Sequence, residues 1–181
     1  LQTPMFSGRL DLIHYHNQLT LYTLLILFYG TGYRPICGPP IRDMIKLAIK
    51  KKELEGSKYR ISKGRHVVCV VADKDNVAGT QTRMVLLSGI VCEQLRNYQY
   101  YLDQYLAQSH QTVEFSDLAD RTLFFLSDPD GRLVAEEFSP GSFETHLQSY
   151  DYYAAANAGR HALRSSWMES GAAADVIEML L

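Results

Sequence analysis

His161 and Arg164 stand three residues apart in a stretch of helical character from Gly159 to Glu169, so both side chains project from one face and can reach a single group. The pair joins two cationic or proton-shuttling groups, although the same spacing also describes a partly exposed histidine beside a surface arginine. Arg34 follows Gly30-Thr31-Gly32-Tyr33 and precedes Pro35, which puts it on a constrained turn. Lys74 falls near the connection of an expected hairpin. Half of the 18 Lys and Arg residues lie between Arg42 and Arg65, including Lys50, Lys51, Lys52, Lys58, Arg60, Lys63 and Arg65. That stretch can neutralise phosphates, or it can form a solvated helix face and hairpin.

The elements that must position these residues are legible in outline. A helix is expected from about Leu10 to Tyr29, ending where Gly30-Thr31-Gly32 allows helix-terminating backbone angles. Pro35, Pro39 and Pro40 postpone the next helix to about Ile41, with an end near Gly56. His66 to Ala72 and Thr82 to Leu87 read as an antiparallel hairpin. Ser88 is a candidate N-cap for a helix reaching Gln108, because Val91, Leu95, Tyr98, Leu102 and Leu106 recur at helical spacing. Thr122 to Leu126 and Arg132 to Ala135 flank the turn sequence Asp128-Pro-Asp-Gly131. Helices are expected after Pro140, over Gly159 to Glu169 and over Ala172 to Leu181, the last two parted by Ser170-Gly171. The fold class is therefore mainly α with small antiparallel β-sheets, an α+β chain.

Composition narrows the class further. A chain of 181 residues, 46% hydrophobic and 21% charged, fits one globular domain with a sizeable core. Leu19 to Tyr29 is too short to span a bilayer and reads as a buried helix, so no membrane partner is expected. The chain opens at Leu1 without an initiating Met or a signal-peptide pattern, as expected for a domain excised from a longer protein. Cys37, Cys69 and Cys92 are odd in number and set among largely apolar neighbours, which fits buried thiols in a reducing cytoplasm better than disulfides or zinc ligands. A net charge of −2 gives no global argument for nucleic acid, so any such case rests on local charge. His14 and His16 are expected at the surface of the first helix, and Trp167 as a packing residue. Asp73, Asp75, Asp128 and Asp130 lack the supporting carboxylates of a two-metal nuclease, and no metal or other cofactor is expected.

In order along the chain, Tyr29-Gly-Thr-Gly-Tyr-Arg34, then Lys74 on a hairpin followed by Arg83-Met-Val-Leu-Leu87, then His161-Ala-Leu-Arg164 ahead of Gly171, resemble the catalytic domain of tyrosine recombinases of the phage-integrase family. The resemblance runs from about Leu19 onward. It implies a tyrosine-recombinase-like catalytic domain that cleaves and rejoins DNA at specific sites through a 3′-phosphotyrosyl intermediate. Arg34 and Arg164 then match the two arginines that grip the non-bridging phosphate oxygens. His161 matches the base or positioning group, and Lys74 the acid for the departing 5′ oxygen. Lys50, Lys51, Lys52, Lys63 and Arg65 would contact DNA phosphates.

The resemblance further implies double-stranded DNA as partner, a homo-oligomer on DNA, and a cytoplasmic, nucleoid-associated location. Two departures stand out. Cys37 occupies the place three residues after the first arginine where the family often has an acidic residue. The nucleophilic tyrosine has no match either, because the family places it after the second arginine; it is expected past Leu181, following a Gly-His-like pair. Tyr150, Tyr152 and Tyr153 precede His161 and are expected to pack or to face DNA. The alternatives are a non-catalytic DNA-binding module of the same fold and a helical protein-interaction domain.

Overall fold

Helix α1 (Arg9–Thr31) is the axis of the domain. In this computed structural model, the described residues are 8–33, 67–74, 81–108, 124–130, 132–135, 140–155 and 157–181. The expected helix from Ile41 to Gly56 and the basic residues Lys50, Lys51, Lys52, Lys63 and Arg65 lie outside them. After α1 come strands β1 (Val67–Lys74) and β2 (Gln81–Leu87), then helix α2 (Gly89–Gln108). Strands β3 (Leu126–Ser127) and β4 (Leu133–Ala135) follow, and then helices α3 (Pro140–Gln148), α4 (Ala158–Glu169) and α5 (Ala174–Leu180). The described residues are mostly helical, with two separate two-stranded antiparallel sheets. Among them, no helix is long and apolar enough to cross a membrane.

Local chemistry accounts for the boundaries. Gly32 ends α1 in the left-handed conformation, its N–H reaching the Phe28 carbonyl at 2.9 Å. The Ser88 hydroxyl accepts the Val91 N–H at the start of α2. Asp128 closes the β3–β4 turn by accepting the Arg132 N–H at 2.8 Å. At the end of α4, Gly171 takes a φ of 78°, and the N–H groups of Gly171 and Ala172 donate to Met168 and Trp167, a Schellman end.

Helix α1 packs against α2, α4, β2 and β3. Leu21, Leu24, Leu27 and Phe28 are buried in a core shared with Val91, Leu95, Tyr98 and Leu102 of α2. Because α1 is enclosed by several elements, its buried positions also include polar residues. The Thr20 hydroxyl pairs with the Tyr98 hydroxyl at 3.1 Å, and Gln94 donates to the Thr23 hydroxyl at 2.9 Å. Asn17 bonds both the N–H and the carbonyl of Ser127. These directional bonds pin the register of α1 against α2 and β3, which apolar contacts alone leave loose. Cys92 is buried, as expected, with its thiol directed to the Leu87 carbonyl.

His16 corrects the expectation of a surface histidine. His14 is exposed, but His16 is fully buried, stacked on Tyr105 with ring centroids 4.2 Å apart. Its Nε2–H donates to the Phe125 carbonyl at 3.0 Å. The Phe124–Ser127 segment arrives from over a hundred residues away, and no periodicity within α1 encodes its arrival. Burial pushes the His16 pKa down to about 3, partly offset by the bond to Phe125. The unfolded chain therefore binds the proton that the folded chain refuses. Stability is complete above the ordinary histidine value of 6.5 and falls as pH drops toward about 3, by up to about 1.4 kcal/mol per pH unit. Urea unfolding at stepped pH should show this slope in the wild type and a flatter one in His16→Phe; equal slopes would clear His16 as its source.

Candidate functional site

The C-terminal end of α1 meets the N-terminal end of α4, and two glycines permit the approach. A Cβ on Gly159 would lie 2.5 Å from the Tyr29 Cα and 2.9 Å from the Phe28 carbonyl oxygen, so the two backbones touch where any other side chain would intrude. Gly32, at a φ of 61°, faces the same helix: a Cβ there would sit 3.4 Å from Leu163 Cδ1 and 3.8 Å from the Arg160 Cα. The Leu181 side chain also closes on Gly32, and Leu181 is buried. The turn from Gly30 to Tyr33 is thus packed against α4 and the residue that follows α5. Arg34 lies outside the described residues, but it is one peptide bond beyond Tyr33, which is buried and stacked on Phe28.

His161 and Arg164 lie one turn apart on α4, and both are exposed. Leu163 and Trp167, on the same helix, are half-buried. The arrangement leaves the imidazole and guanidinium open to an external ligand while the backbone that bears them is braced by α1 and α5. An exposed guanidinium on a braced helix can present two parallel N–H groups to an oxyanion.

Lys74 is the last residue of β1, paired in register with Gln81. Val67 pairs with Leu87 at the other end, where Leu87 is buried in the core. At about 3.3 Å per residue, Lys74 sits roughly 23 Å along the strand from that end. Three steps on β1 match two on β2 between Val71 and Lys74, a bulge that twists the hairpin just before its tip. Strand β2 packs on α5 and α1, so the hairpin shares its supports with α4.

The tyrosines sort clearly by environment. Tyr101 has a buried hydroxyl, and burial, then the neighbouring Tyr105, Tyr98 and Tyr15, hold its phenol above the ordinary range, an unsuitable state for a nucleophile. Tyr150 packs on His14 with centroids 4.9 Å apart, and the Tyr152 hydroxyl accepts a bond from Gln18 at 3.3 Å. Tyr153 is 82% exposed on the segment leading to α4.

The contributions of Gly159 and Leu181 were not legible in the sequence. Gly159 reads only as a helix start, and its direct adjacency to the His-x-x-Arg motif is the one signal that could have marked a close approach. No protein-family model, curated protein or solved structure matches this chain.

Proposed function

We propose that this chain is the phosphate-gripping catalytic domain of a tyrosine-recombinase-like DNA strand transferase. The observation that carries the reading is the seating of the Gly32 turn, which leads into Arg34, against the helix of His161 and Arg164. The close approach at Gly32 and Gly159 supports the reading, because it seats the turn that precedes Arg34 on the helix that carries His161 and Arg164.

In this reading Arg34 and Arg164 hold the non-bridging oxygens of the scissile phosphate. His161 takes or positions the proton of an attacking tyrosine. Its oxygen bonds to phosphorus as the bond to the 5′ oxygen breaks, and Lys74 protonates that leaving oxygen. The scheme requires no metal. It requires a tyrosine that follows Arg164 in the family's order, and none occurs from Arg164 to Leu181. The partner is duplex DNA, bound by a homo-oligomer in the cytoplasmic nucleoid, with Lys50, Lys51, Lys52, Lys63 and Arg65 on backbone phosphates.

The test is a denaturing gel of the natural protein incubated with its duplex substrate, where a protease-sensitive adduct on a DNA 3′ end is expected. DNA binding with no adduct would instead identify a non-catalytic DNA-binding module, and no affinity at low salt a protein-interaction domain. Affinity is expected to fall steeply with salt. Neutralising Lys50, Lys51 and Lys52 together should flatten the log–log slope by up to about 3, because fewer counterions are released. An unchanged slope would assign that run to solvent.

A further inference from the structure

We propose that Tyr22, Tyr29 and Tyr153 form an aromatic track on which unpaired bases of a DNA strand stack while its backbone is held at α4; the cationic end of the track rests on the reading of Arg164 as a phosphate-gripping group. The 3.6-residue period sets His14, Gln18, Tyr22 and Tyr29 on one stripe of α1, with Tyr22 and Tyr29 about 10 Å apart along the axis. Residues from the C-terminal part of the chain meet this stripe in order. Tyr150 packs on His14, the Tyr152 hydroxyl accepts a bond from Gln18, and the Gly159 backbone touches that of Tyr29. The approach to α4 therefore follows α1 in the same direction. Large rings face solvent along its path, with Tyr22 41%, Tyr29 36% and Tyr153 82% exposed.

Tyr153 is fixed by its neighbours. Helix α3 ends in a Schellman turn, with Asp151 at a φ of 59° and the Tyr152 N–H reaching the Leu147 carbonyl at 3.0 Å. Tyr152 is bonded to Gln18 and Ala154 packs on the core, so Tyr153 stands outward on a backbone anchored on both sides. Its ring contributes little to the core, whereas a series of exposed rings on fixed backbone offers stacking faces with little side-chain freedom to lose. Charge gives the track a direction. Asp11 and Asp151 are exposed at its start, and His161 and Arg164 are exposed on the helix at its end, so a phosphate backbone is favoured at α4. Tyr22, Tyr29, Tyr153, Ala154 and Ala155 between them are uncharged. Paired bases hide their faces in the duplex stack, so the occupant is single-stranded. A span of about 10 Å matches about three nucleotides at the spacing of a stacked strand.

The experiment measures binding of the natural protein, by fluorescence anisotropy over a range of salt, to a labelled single-stranded oligothymidylate of about 12 nucleotides and to a duplex of the same length. Tyr22→Ala, Tyr29→Ala and Tyr153→Ala should each weaken single-strand binding by at least about fivefold, with duplex affinity within about twofold and the salt slope unchanged, because a stacked ring releases no counterions. Tyr153→Phe, which keeps the ring, should bind the single strand within about twofold of wild type. Arg164→Ala should instead lower the salt slope by about one. The inference is overturned by absence of single-strand binding in the wild type at low salt, by wild-type affinity in any of the alanine variants, or by an equal loss on duplex. A Tyr153→Phe loss as large as that of Tyr153→Ala, or an unchanged slope in Arg164→Ala, overturns it as well. The covalent-adduct assay judges the strand-transferase reading separately. Adduct without these losses removes the track alone, and these losses without adduct leave the track as the single-strand binding surface of a protein that does not cleave. Circular dichroism checks folding. Tyr22→Leu and Tyr29→Leu, which keep apolar bulk without a ring, replace alanine variants that do not fold, and Tyr153→Ala decides alone if those fail too.

Discussion

Arg34→Ala and Arg164→Ala are each expected to reduce covalent-adduct formation by at least about 100-fold while leaving DNA affinity within about tenfold. The two effects separate because they draw on different contacts. Binding is spread over many backbone phosphates, each of which adds a modest share, and Arg34 and Arg164 would supply only two of them. Cleavage gathers negative charge on the oxygens of one phosphate, and there a fixed guanidinium stabilises the transition state more than the ground state. Arg164 is exposed on a helix braced by α1 and α5, so its removal should leave the fold intact. Adduct yield and gel-shift affinity measured side by side decide the matter. A variant that forms adduct at wild-type yield takes its arginine out of the site.

Lys74→Ala should cleave ordinary DNA very slowly, yet recover on DNA whose bridging 5′ oxygen is replaced by sulfur. An alkoxide leaves poorly without a proton, whereas a thiolate is a far better leaving group and needs little help. Lys74 is the last residue of β1, just past a bulge, which is the place along a hairpin that the proposed role needs. Arg34→Ala and Arg164→Ala should show no comparable recovery, since the work proposed for them is on the non-bridging oxygens. Cleavage rates for the three variants on matched oxygen and sulfur substrates provide the comparison. If Lys74→Ala gains nothing selectively from sulfur, the lysine is a phosphate contact or a structural residue.

Much of the scaffold was legible because its signals are local. The end of α1 lies within a residue or two of where the glycines put it, and Ser88 caps α2 as its type suggests. The β1–β2 hairpin follows the β-branched runs, with Lys74 at its connection. Strand β3 is Leu126–Ser127, and Phe124 and Phe125 lie outside it although the expected strand covers them; Thr122 and Leu123 fall outside the described residues. His16 was misread because its neighbours in sequence resemble those of a surface helix, while the residues that bury it come from α2 and the Phe124–Ser127 segment.

The sequence by itself determined the helix ends, the two hairpins and the one-face spacing of His161 and Arg164, since glycine conformations, turn chemistry and the 3.6-residue period act over a few residues. Only the tertiary structure decided that α1 is enclosed with polar residues inside, that Gly159 lies on the backbone of Tyr29, and that Leu181 closes on Gly32. Those outcomes depend on which surfaces meet after the chain has closed loops of many residues, and close packing selects that pairing through shapes that no local period records.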